Sequence, residues 1–285
     1  MLIRSPPAWG YDRLKEALGS VGSAEPDEYW AHRATGVPEV RRIGYAALGR
    51  ALSAGIADFG ANRTDVIFLC VIYPVAGLLF GTMAASGGLL HLLFPLASGF
   101  AIVGPFAAIG LYELSRRRET GRNVTWLDAL GVLRSPAIGR MTMLGAMLML
   151  ILALWLETAM LIYDATLGPE PPASLAAFAN ALLSTDAGHV LILAGTAAGA
   201  VFAAAAYLVS VVSFPVLLDR DVGLETAVTT SLRVVRANPG PMLAWAAIVT
   251  GGLVLGSLPA LVGLAVVLPV LGHATWHLYR EVVAP

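Results

Sequence analysis

Two histidines near the end of the chain, His273 and His277, are candidates for ligand binding or proton transfer. They stand four residues apart in "LPVLGHATWHLYRE", residues 268–281, so a helix places both imidazoles on one face. Such a pair could ligate a metal or a haem, or pass protons. The same stretch is also typical of an interfacial belt. In a belt, Trp276, His277, Tyr279 and Arg280 place polar tips among lipid headgroups and apolar bodies in lipid.

We favour the belt over a cofactor site. A haem held by two histidines needs a second imidazole at matching depth, and His91 and His189 both fall near the opposite ends of their apolar segments. The single cysteine, Cys70, has no companion ligands, and no HExxH motif is present. We therefore expect no metal and no cofactor, with haem ligation by His273 or His277 as the lesser alternative.

One acidic residue, Glu157, lies well inside an apolar segment, in "LALWLETAMLIYD". An ionisable group at the centre of a membrane helix costs about 2.5–3.5 kcal/mol on insertion scales, and less toward the edge. Carboxylates in such positions often mark ion or proton paths. Glu157 is thus a candidate functional residue, although a position near the outer face would let water satisfy it.

A third group of polar residues gathers where apolar segments begin or end. We interpret it as a rim of helix caps and ion pairs, with a headgroup or anion site as the functional alternative. Its members are Asn62, Arg63, Asp65, Glu113, Asp219, Arg220, Asp221, Arg236 and Asn238.

The candidate residues lie in or beside predicted membrane helices. The 285 residues are 57% hydrophobic and only 13% charged, and the mean hydropathy is +0.74. A soluble domain carries about 25% charged residues. A membrane helix needs about 20 apolar residues, and the uncharged blocks predict an all-α, polytopic bundle of six spans. These spans lie near 64–84, 89–112, 141–163, 189–217, 240–257 and 260–279.

Amphipathic segments precede the first, third and fifth spans and predict cytoplasmic surface helices. The first places Val40, Ile43, Ala47, Leu52, Ile56 and Phe59 on one face. In the second, Trp126, Leu130 and Leu133 share a face, and Thr125 and Asp128 have capping-box spacing. The third places Leu224, Val228, Leu232 and Val235 together. Residues 1–38, rich in Pro, Gly and charge, predict a largely disordered cytoplasmic tail before a membrane domain at 39–285.

The basic residues set the orientation. With these six spans, all 18 Lys and Arg fall on one side, and that side is cytoplasmic by the positive-inside rule. Both termini are therefore expected in the cytoplasm. In the fourth span, Gly195, Gly199 and Ala203 form the small-xxx-small pattern of close helix packing, which predicts a central position or an oligomer contact.

Two stretches carry a family resemblance. These are "VSFPVLLDRDVGLETAVTTSLRVVRANPGPMLAWAAI", residues 212–248, and "LVGLAVVLPVLGHATWHLYR", residues 261–280. They resemble the bacterial family of predicted integral membrane proteins called domain of unknown function 2189, and residues 40–80 do so more loosely. The arrangement is also distantly similar to the membrane domain of some glycerophosphodiester phosphodiesterases. The resemblance implies a multi-pass protein of the bacterial inner membrane and brings no established activity.

The sequence therefore favours a non-enzymatic membrane protein. We expect an accessory, assembly or scaffold subunit whose partners are membrane lipids and either other membrane proteins or further copies of itself. A transporter or channel for a small solute or lipid is the alternative, and a haem-carrying redox accessory is the second alternative. Nucleic acid is not an expected partner, because the net charge is −1 and no recognition motif is present.

Overall fold

A computed structural model describes residues 35–61, 90–122, 124–259 and 261–284, together with positions 75, 77, 78 and 82. This part of the chain is helical and contains no strand, which confirms the predicted all-α class. Two 3-10 segments, Leu90–Leu92 and Trp126–Arg134, accompany the α-helices. The α-helices are α1 (Tyr45–Ala61), α2 (Leu93–Ala107), α3 (Ile109–Glu119), α4 (Ile138–Thr166), α5 (Leu175–Ser184), α6 (Asp186–Ser210), α7 (Ser213–Asp219), α8 (Leu224–Ala237), α9 (Pro239–Ser257) and α10 (Leu264–Val282).

Three stretches of helix are long and apolar enough to cross a membrane: Ile138–Thr166, Asp186–Asp219 and Pro239–Ser257. They match the predicted spans 141–163, 189–217 and 240–257. A pair of helices, Leu90–Gly99 and Ala101–Ala107, bends by 41° and would make a fourth span if it crosses as one. Six spans are not confirmed. Most of the predicted span 64–84 lies outside the described residues, and the helix at 260–279 does not meet the same criteria.

The spans leave much of their apolar surface uncovered. Only 22% of the most apolar window of α4 is buried, and only 17% of that of α9. Leu193 on α6 and Leu243 on α9 are each 74% exposed. Contiguous apolar surface on this scale is compatible with lipid rather than water. The chain is an integral membrane protein.

Helix α6 and its continuation α7 hold the centre of the bundle. Their apolar window is 56% buried, well above that of the other two spans. The indole of Trp155 on α4 lies against Gly199 of α6, where an added Cβ would meet the ring at 3.1 Å. The small-xxx-small pattern of α6 therefore serves, at Gly199, a contact between α4 and α6 within the chain.

Helix α10 divides into two unlike halves. The first half is apolar and contacts α9, whereas the second half packs along α1 and α3. The side chains of Trp276, Leu278 and Tyr279 are at most 1% exposed there. The second half of α10 is therefore enclosed by protein. We call the assembly of α1, α3, α8, the segment Trp126–Arg134 and this half of α10 the polar layer.

The amphipathic segments pack on a different face from the predicted one. On α1 the buried residues are Ala47, Leu48, Ala51, Gly55 and Asp58, whereas Ile56 of the predicted apolar face is 52% exposed. The reason is steric. A Cβ added to Gly55 would stand 2.5 Å from the backbone nitrogen of Ala274 on α10, so only a glycine lets the two helices cross this closely.

The other two surface segments show the same shift. In Trp126–Arg134 the predicted apolar residues Leu130 and Leu133 are exposed, while Ala129 and Val132 are buried. In α8 the buried residues are Ala227, Thr230, Ser231 and Val234, and the predicted apolar face is only half-buried. The predicted start of the second segment is confirmed, because the Thr125 backbone N–H donates to the Asp128 carboxylate at 2.8 Å.

Candidate functional site in the polar layer

The crossing of α1 and α10 brings four polar side chains into one buried cluster. Helix α10 supplies His273 and His277 on one face, α3 supplies Ser115, and α1 supplies Asp58 one turn after Gly55. We call these four residues the histidine array. Three of them are almost fully enclosed: Ser115 is 1% exposed, His273 2% and Asp58 8%. The side chain of His277 is 19% exposed.

One carboxylate oxygen joins the array. Asp58 Oδ2 lies 2.7 Å from Ser115 Oγ and 2.8 Å from His277 Nε2. Ser115 Oγ also lies 2.8 Å from His273 Nδ1. The hydrogen bonds therefore run unbroken from His273 through Ser115 and Asp58 to His277.

The charge on Asp58 fixes which group donates at each step. Burial alone would raise the pKa of Asp58, but hydrogen bonds from His277 and Ser115 outweigh it and hold that pKa below its usual range. An ionised carboxylate only accepts hydrogen bonds, so Ser115 Oγ–H and His277 Nε2–H both donate to Asp58. The Ser115 hydroxyl has one proton. His273 Nδ1–H must therefore donate to Ser115 Oγ.

Cations and further carboxylates surround the array. Arg118 Nε lies 3.2 Å from Asp58 Oδ1. Glu119 accepts from Trp276 Nε1 at 2.9 Å and from Arg280 Nε at 3.0 Å. These contacts join groups on different helices and tie α1, α3 and α10 together.

The belt interpretation is wrong for Trp276 and Tyr279. Both rings are buried, and their polar atoms donate to protein carboxylates, Trp276 to Glu119 and Tyr279 to Asp219 at 2.6 Å. The guanidinium carbon of Arg280 lies 4.8 Å from the centre of the Trp276 ring. These groups need no lipid headgroups, because the partners come from α3 and α7.

Most described members of the predicted rim form ion pairs or hydrogen bonds within the chain. Glu113 is fully buried and accepts from Arg116 Nε at 2.8 Å and Arg117 Nε at 2.6 Å. Asp219 accepts hydrogen bonds from both terminal guanidinium nitrogens of Arg280, at 2.9 and 3.1 Å. These pairs match the ion-pair interpretation of the rim. Asn62, Arg63 and Asp65 lie outside the described residues.

Asn238 clamps the segment that precedes α1. Its Oδ1 accepts from the Ile43 backbone N–H at 2.7 Å, and its Nδ2 donates to the Arg41 carbonyl at 3.0 Å. Beside it, Val40 pairs with Val283 as an isolated antiparallel bridge. Arg236, on the last turn of α8, is exposed. Asn238 therefore holds a strand-like segment in place, and Arg236 takes no part in this clamp.

Glu157 lies away from the histidine array and from the ion pairs of the rim. It is exposed on α4, in line with Leu150, Leu154 and Leu161, which are 59%, 51% and 60% exposed. The described residues supply it with no hydrogen bond or ion pair. The structure thus places Glu157 on an uncovered apolar face and brings it near no other predicted site residue.

Among the described residues, no three His, Cys, Asp or Glu side chains gather in the way a metal ion needs. Within the array, His273 Nδ1 and His277 Nε2 are both engaged by protein groups. A haem iron at either of these nitrogens would have to displace Ser115 or Asp58.

Sequence reasoning missed two members of the array, Asp58 and Ser115. A signal for Asp58 was present, because Ala51, Gly55 and Asp58 share one helical face, and a stripe of small residues marks close helix contact. An acid at the end of such a stripe is carried into the contact. Ser115 lies in "ELSRRRE", where the flanking charges give no indication of a buried hydroxyl.

The fold and the exposed apolar surface define a helical integral membrane protein. The family model described as "Predicted integral membrane protein (DUF2189)" matches residues 93–219, from α2 to α7, and confirms the resemblance to that family. The match overlaps the stretches that suggested it only at 212–219. No curated protein and no solved structure matches the chain, so the likeness to glycerophosphodiester phosphodiesterases is not supported.

Proposed function

We propose that this integral membrane protein is non-enzymatic and acts as an accessory, assembly or scaffold subunit that binds other membrane proteins or lipids. The burial of the Ser115 hydroxyl supports a role without catalysis. Ser115 is 1% exposed and its hydroxyl donates to the Asp58 carboxylate, so a substrate does not reach it in this arrangement. We further propose the bacterial inner membrane, with both termini cytoplasmic, on the strength of the one-sided Lys and Arg distribution.

The exposed face of α4 around Glu157 supports a partner-binding role most directly. Arg140 and Asp164 are the charged residues that flank the apolar part of α4, and their midpoint falls at residue 152. Glu157 lies five residues beyond it, about 7.5 Å from the middle at 1.5 Å per residue. That is inside a hydrocarbon core about 30 Å thick. A partner protein that covers this face with a hydrogen-bond donor would relieve the cost of the carboxyl.

Site-specific photo-crosslinking tests the proposal. A photoreactive residue replaces Leu154 or Leu161, which flank Glu157, and the protein is then purified from its native membrane and analysed by mass spectrometry. We expect one defined protein adduct from both positions and none from Leu193, which is equally apolar and more exposed but lies on α6. Lipid adducts alone at all three positions would contradict a protein partner at this face.

Transport of a small solute or lipid is the second candidate, favoured by the histidine array itself. A continuous hydrogen-bonded series of ionisable groups at the end of a membrane bundle is the kind of element that couples protons to transport. Glu157→Gln with unchanged flux of every tested solute would remove Glu157 from such a path. Haem ligation by His273 or His277 stays a prediction, because Ser115 and Asp58 bond only one ring nitrogen of each histidine.

A further inference from the structure

Helix α5, between two membrane spans, is apolar and yet leaves its side chains uncovered. None of the residues Leu175–Ser184 is buried in the described structure. The helix contains no charged side chain. Leu175 is 60% exposed and Leu183 is 73% exposed. Exposed apolar surface of this kind marks contact with lipid or with another protein.

Two contacts fix the orientation of α5 on the bundle. The Phe178 ring packs edge-on against Tyr163 of α4, with the ring centres 6.2 Å apart. A Cβ added to Gly188 of α6 would overlap the Ala181 carbonyl oxygen, so α5 and α6 meet backbone to backbone there. Phe178 and Ala181 are half-buried by these contacts. They mark the side of α5 that faces the spans.

The rest of the circumference of α5 divides into an apolar side and a polar side. Leu175, Ala179 and Leu183 follow one another at four-residue spacing and form an apolar stripe. Asn180 and Ser184 are exposed on another side, about 120° further around the axis at 3.6 residues per turn. This division suits a helix that lies at the boundary between lipid and water.

The position of α5 in the bundle places it at such a boundary. Helix α4 begins next to the polar layer and ends at Thr166, and α6 begins at Asp186. Both helices are long and apolar enough to cross a membrane. Because α5 connects these two ends, it lies at the membrane surface opposite the polar layer.

The exposed apolar surface of α5 continues onto α6. The Leu183 carbonyl oxygen lies 3.1 Å from His189 Nε2, so the end of α5 stands beside the first turn of α6. Val190 and Leu193 of α6 are 53% and 74% exposed. Lipid that covers these two residues also reaches the stripe of α5. This continuity is why we choose lipid, and not a protein, as the molecule that covers the stripe.

We propose that α5 is an interfacial helix whose stripe of Leu175, Ala179 and Leu183 contacts lipid acyl chains in the leaflet opposite the polar layer. Asn180 and Ser184 then face water. Interfacial helices of this type lie in the membrane plane, with the apolar face about 5–10 Å into the boundary between headgroups and acyl chains. Because α5 is uncharged, the contact is apolar and does not require anionic lipid. The proposal rests on the membrane class of the chain and not on the accessory role.

Electron paramagnetic resonance of the full-length protein tests the proposal, in phosphatidylcholine nanodiscs that hold one chain each. Cys70 is replaced by serine, and a nitroxide label is attached to a single new cysteine at Leu175, Leu183, Asn180 or Ser184. Molecular oxygen concentrates in lipid, whereas a nickel chelate stays in water. The collision rates of each label with the two reagents therefore report whether the label lies in lipid or in water.

We expect the two stripe positions to favour oxygen and the two polar positions to favour the nickel chelate. Leu193→Cys on α6 gives the reference for lipid, and Glu170→Cys in the exposed loop before α5 gives the reference for water. Nickel access at all four positions would overturn the proposal by placing α5 in water. Protection of the stripe positions from both reagents would also overturn it, because the stripe would then lie under protein.

Two adjacent substitutions test the orientation of α5 with a label at Leu175. Leu183→Glu places a carboxylate on the stripe, and we expect it to raise nickel access at the label, because an ionised group is costly in lipid. Ser184→Glu is the matched control, since both positions are exposed but Ser184 lies on the polar side. Equal changes in the two variants would overturn the proposed orientation. If Leu183→Glu fails to fold, the four label positions decide alone.

Discussion

The polar layer and the apolar spans use carboxylates in opposite ways. Asp58 and Glu113 are buried in the polar layer, and each receives hydrogen bonds or ion pairs from several side chains. Glu157 lies in a span, is exposed, and has no such partner among the described residues. The first two carboxylates hold helices together. The third contributes nothing to the fold within one chain, which is why we assign it to contact with another molecule.

Burial decides this difference more than charge does. Removing one partner of a buried ion pair leaves the other charge without water or protein to satisfy it, and typically costs about 3–5 kcal/mol. Removing a charge from an apolar exposed surface carries no such penalty. Substitutions at Asp58 and at Glu157 therefore test whether burial causes the difference between the two carboxylates.

The largest effect is expected where α1 meets α10. Gly55→Leu would place a side chain against the Ala274 backbone, 2.5 Å from its nitrogen, so α1 must leave α10 and Asp58 must leave both histidines. We expect a loss of about 3–5 kcal/mol in the free energy of unfolding, similar to that for breaking a buried ion pair. Chemical unfolding in detergent micelles measures it. Gly49→Leu on the same helix is the matched control, because an added Cβ at Gly49 meets nothing within 4 Å.

Asp58→Ala removes only the shared acceptor. Ser115, His277 and Arg118 all lose a partner, and we expect a loss of about 3 kcal/mol in the free energy of unfolding. The control is Asp221→Ala, which breaks the more exposed pair with Arg140 and should cost less than about 1 kcal/mol. Equal losses in the two variants would show that burial does not distinguish these carboxylates.

The same carboxylate predicts a pH dependence. The pKa of Asp58 is lower in the folded protein than its usual value, so Asp58 stabilises the fold above the unfolded-state pKa of about 4. This contribution disappears as the pH falls through the folded-state pKa. Wild type should therefore lose stability more steeply than Asp58→Asn as the pH falls below about 4. Melting temperatures of both proteins across this range give the test, and parallel curves would contradict it.

We expect Glu157→Leu to raise the stability of the isolated protein and to weaken its crosslink to a partner protein. Without a partner, the apolar side chain removes a carboxyl from the hydrocarbon region, so the isolated protein should gain up to about 3 kcal/mol. In the native membrane, the crosslink from Leu154 or Leu161 to a partner protein should weaken or disappear. Leu150→Ala, on the same exposed stripe, should leave the crosslink intact. A stabilised variant with an unchanged crosslink would show that Glu157 is not part of the contact.

The sequence was sufficient to predict the membrane class and the positions of three spans, because uncharged apolar blocks of about 20 residues are typical of membrane-spanning helices. It was also sufficient for the capped start at Thr125. It did not indicate which face of α1 packs. Ile56 and the other large residues suggested an apolar contact, whereas the structure uses Ala51, Gly55 and Asp58. That choice depends on how closely two helices approach, which hydrophobic periodicity does not encode.

The candidate site was likewise only partly predictable from the sequence. His273 and His277 could be recognised from their spacing, but their partners come from positions 158 and 219 residues away in the chain. A headgroup belt and a buried array need the same residues at the end of an apolar helix. Only the packing of α1 and α3 over α10 distinguishes them, because it replaces lipid with Asp58 and Ser115.

The smallest effect is expected at the exposed pair of Arg50 and Glu281, which joins the same two helices. Arg50 Nη2 lies 2.7 Å from Glu281 Oε2, and the hydrogen bond from Arg50 lowers the pKa of Glu281. The Arg50 side chain is nevertheless 62% exposed, so water replaces each partner when the other is removed. We expect Glu281→Ala to leave the melting temperature unchanged within error, while Asp58→Ala lowers it. Both carboxylates bridge α1 and α10 at hydrogen-bond distance, so a difference between the two variants can come only from their burial and their number of partners. A comparable fall in both would instead mean that α1 is held to α10 by charge pairing at the surface.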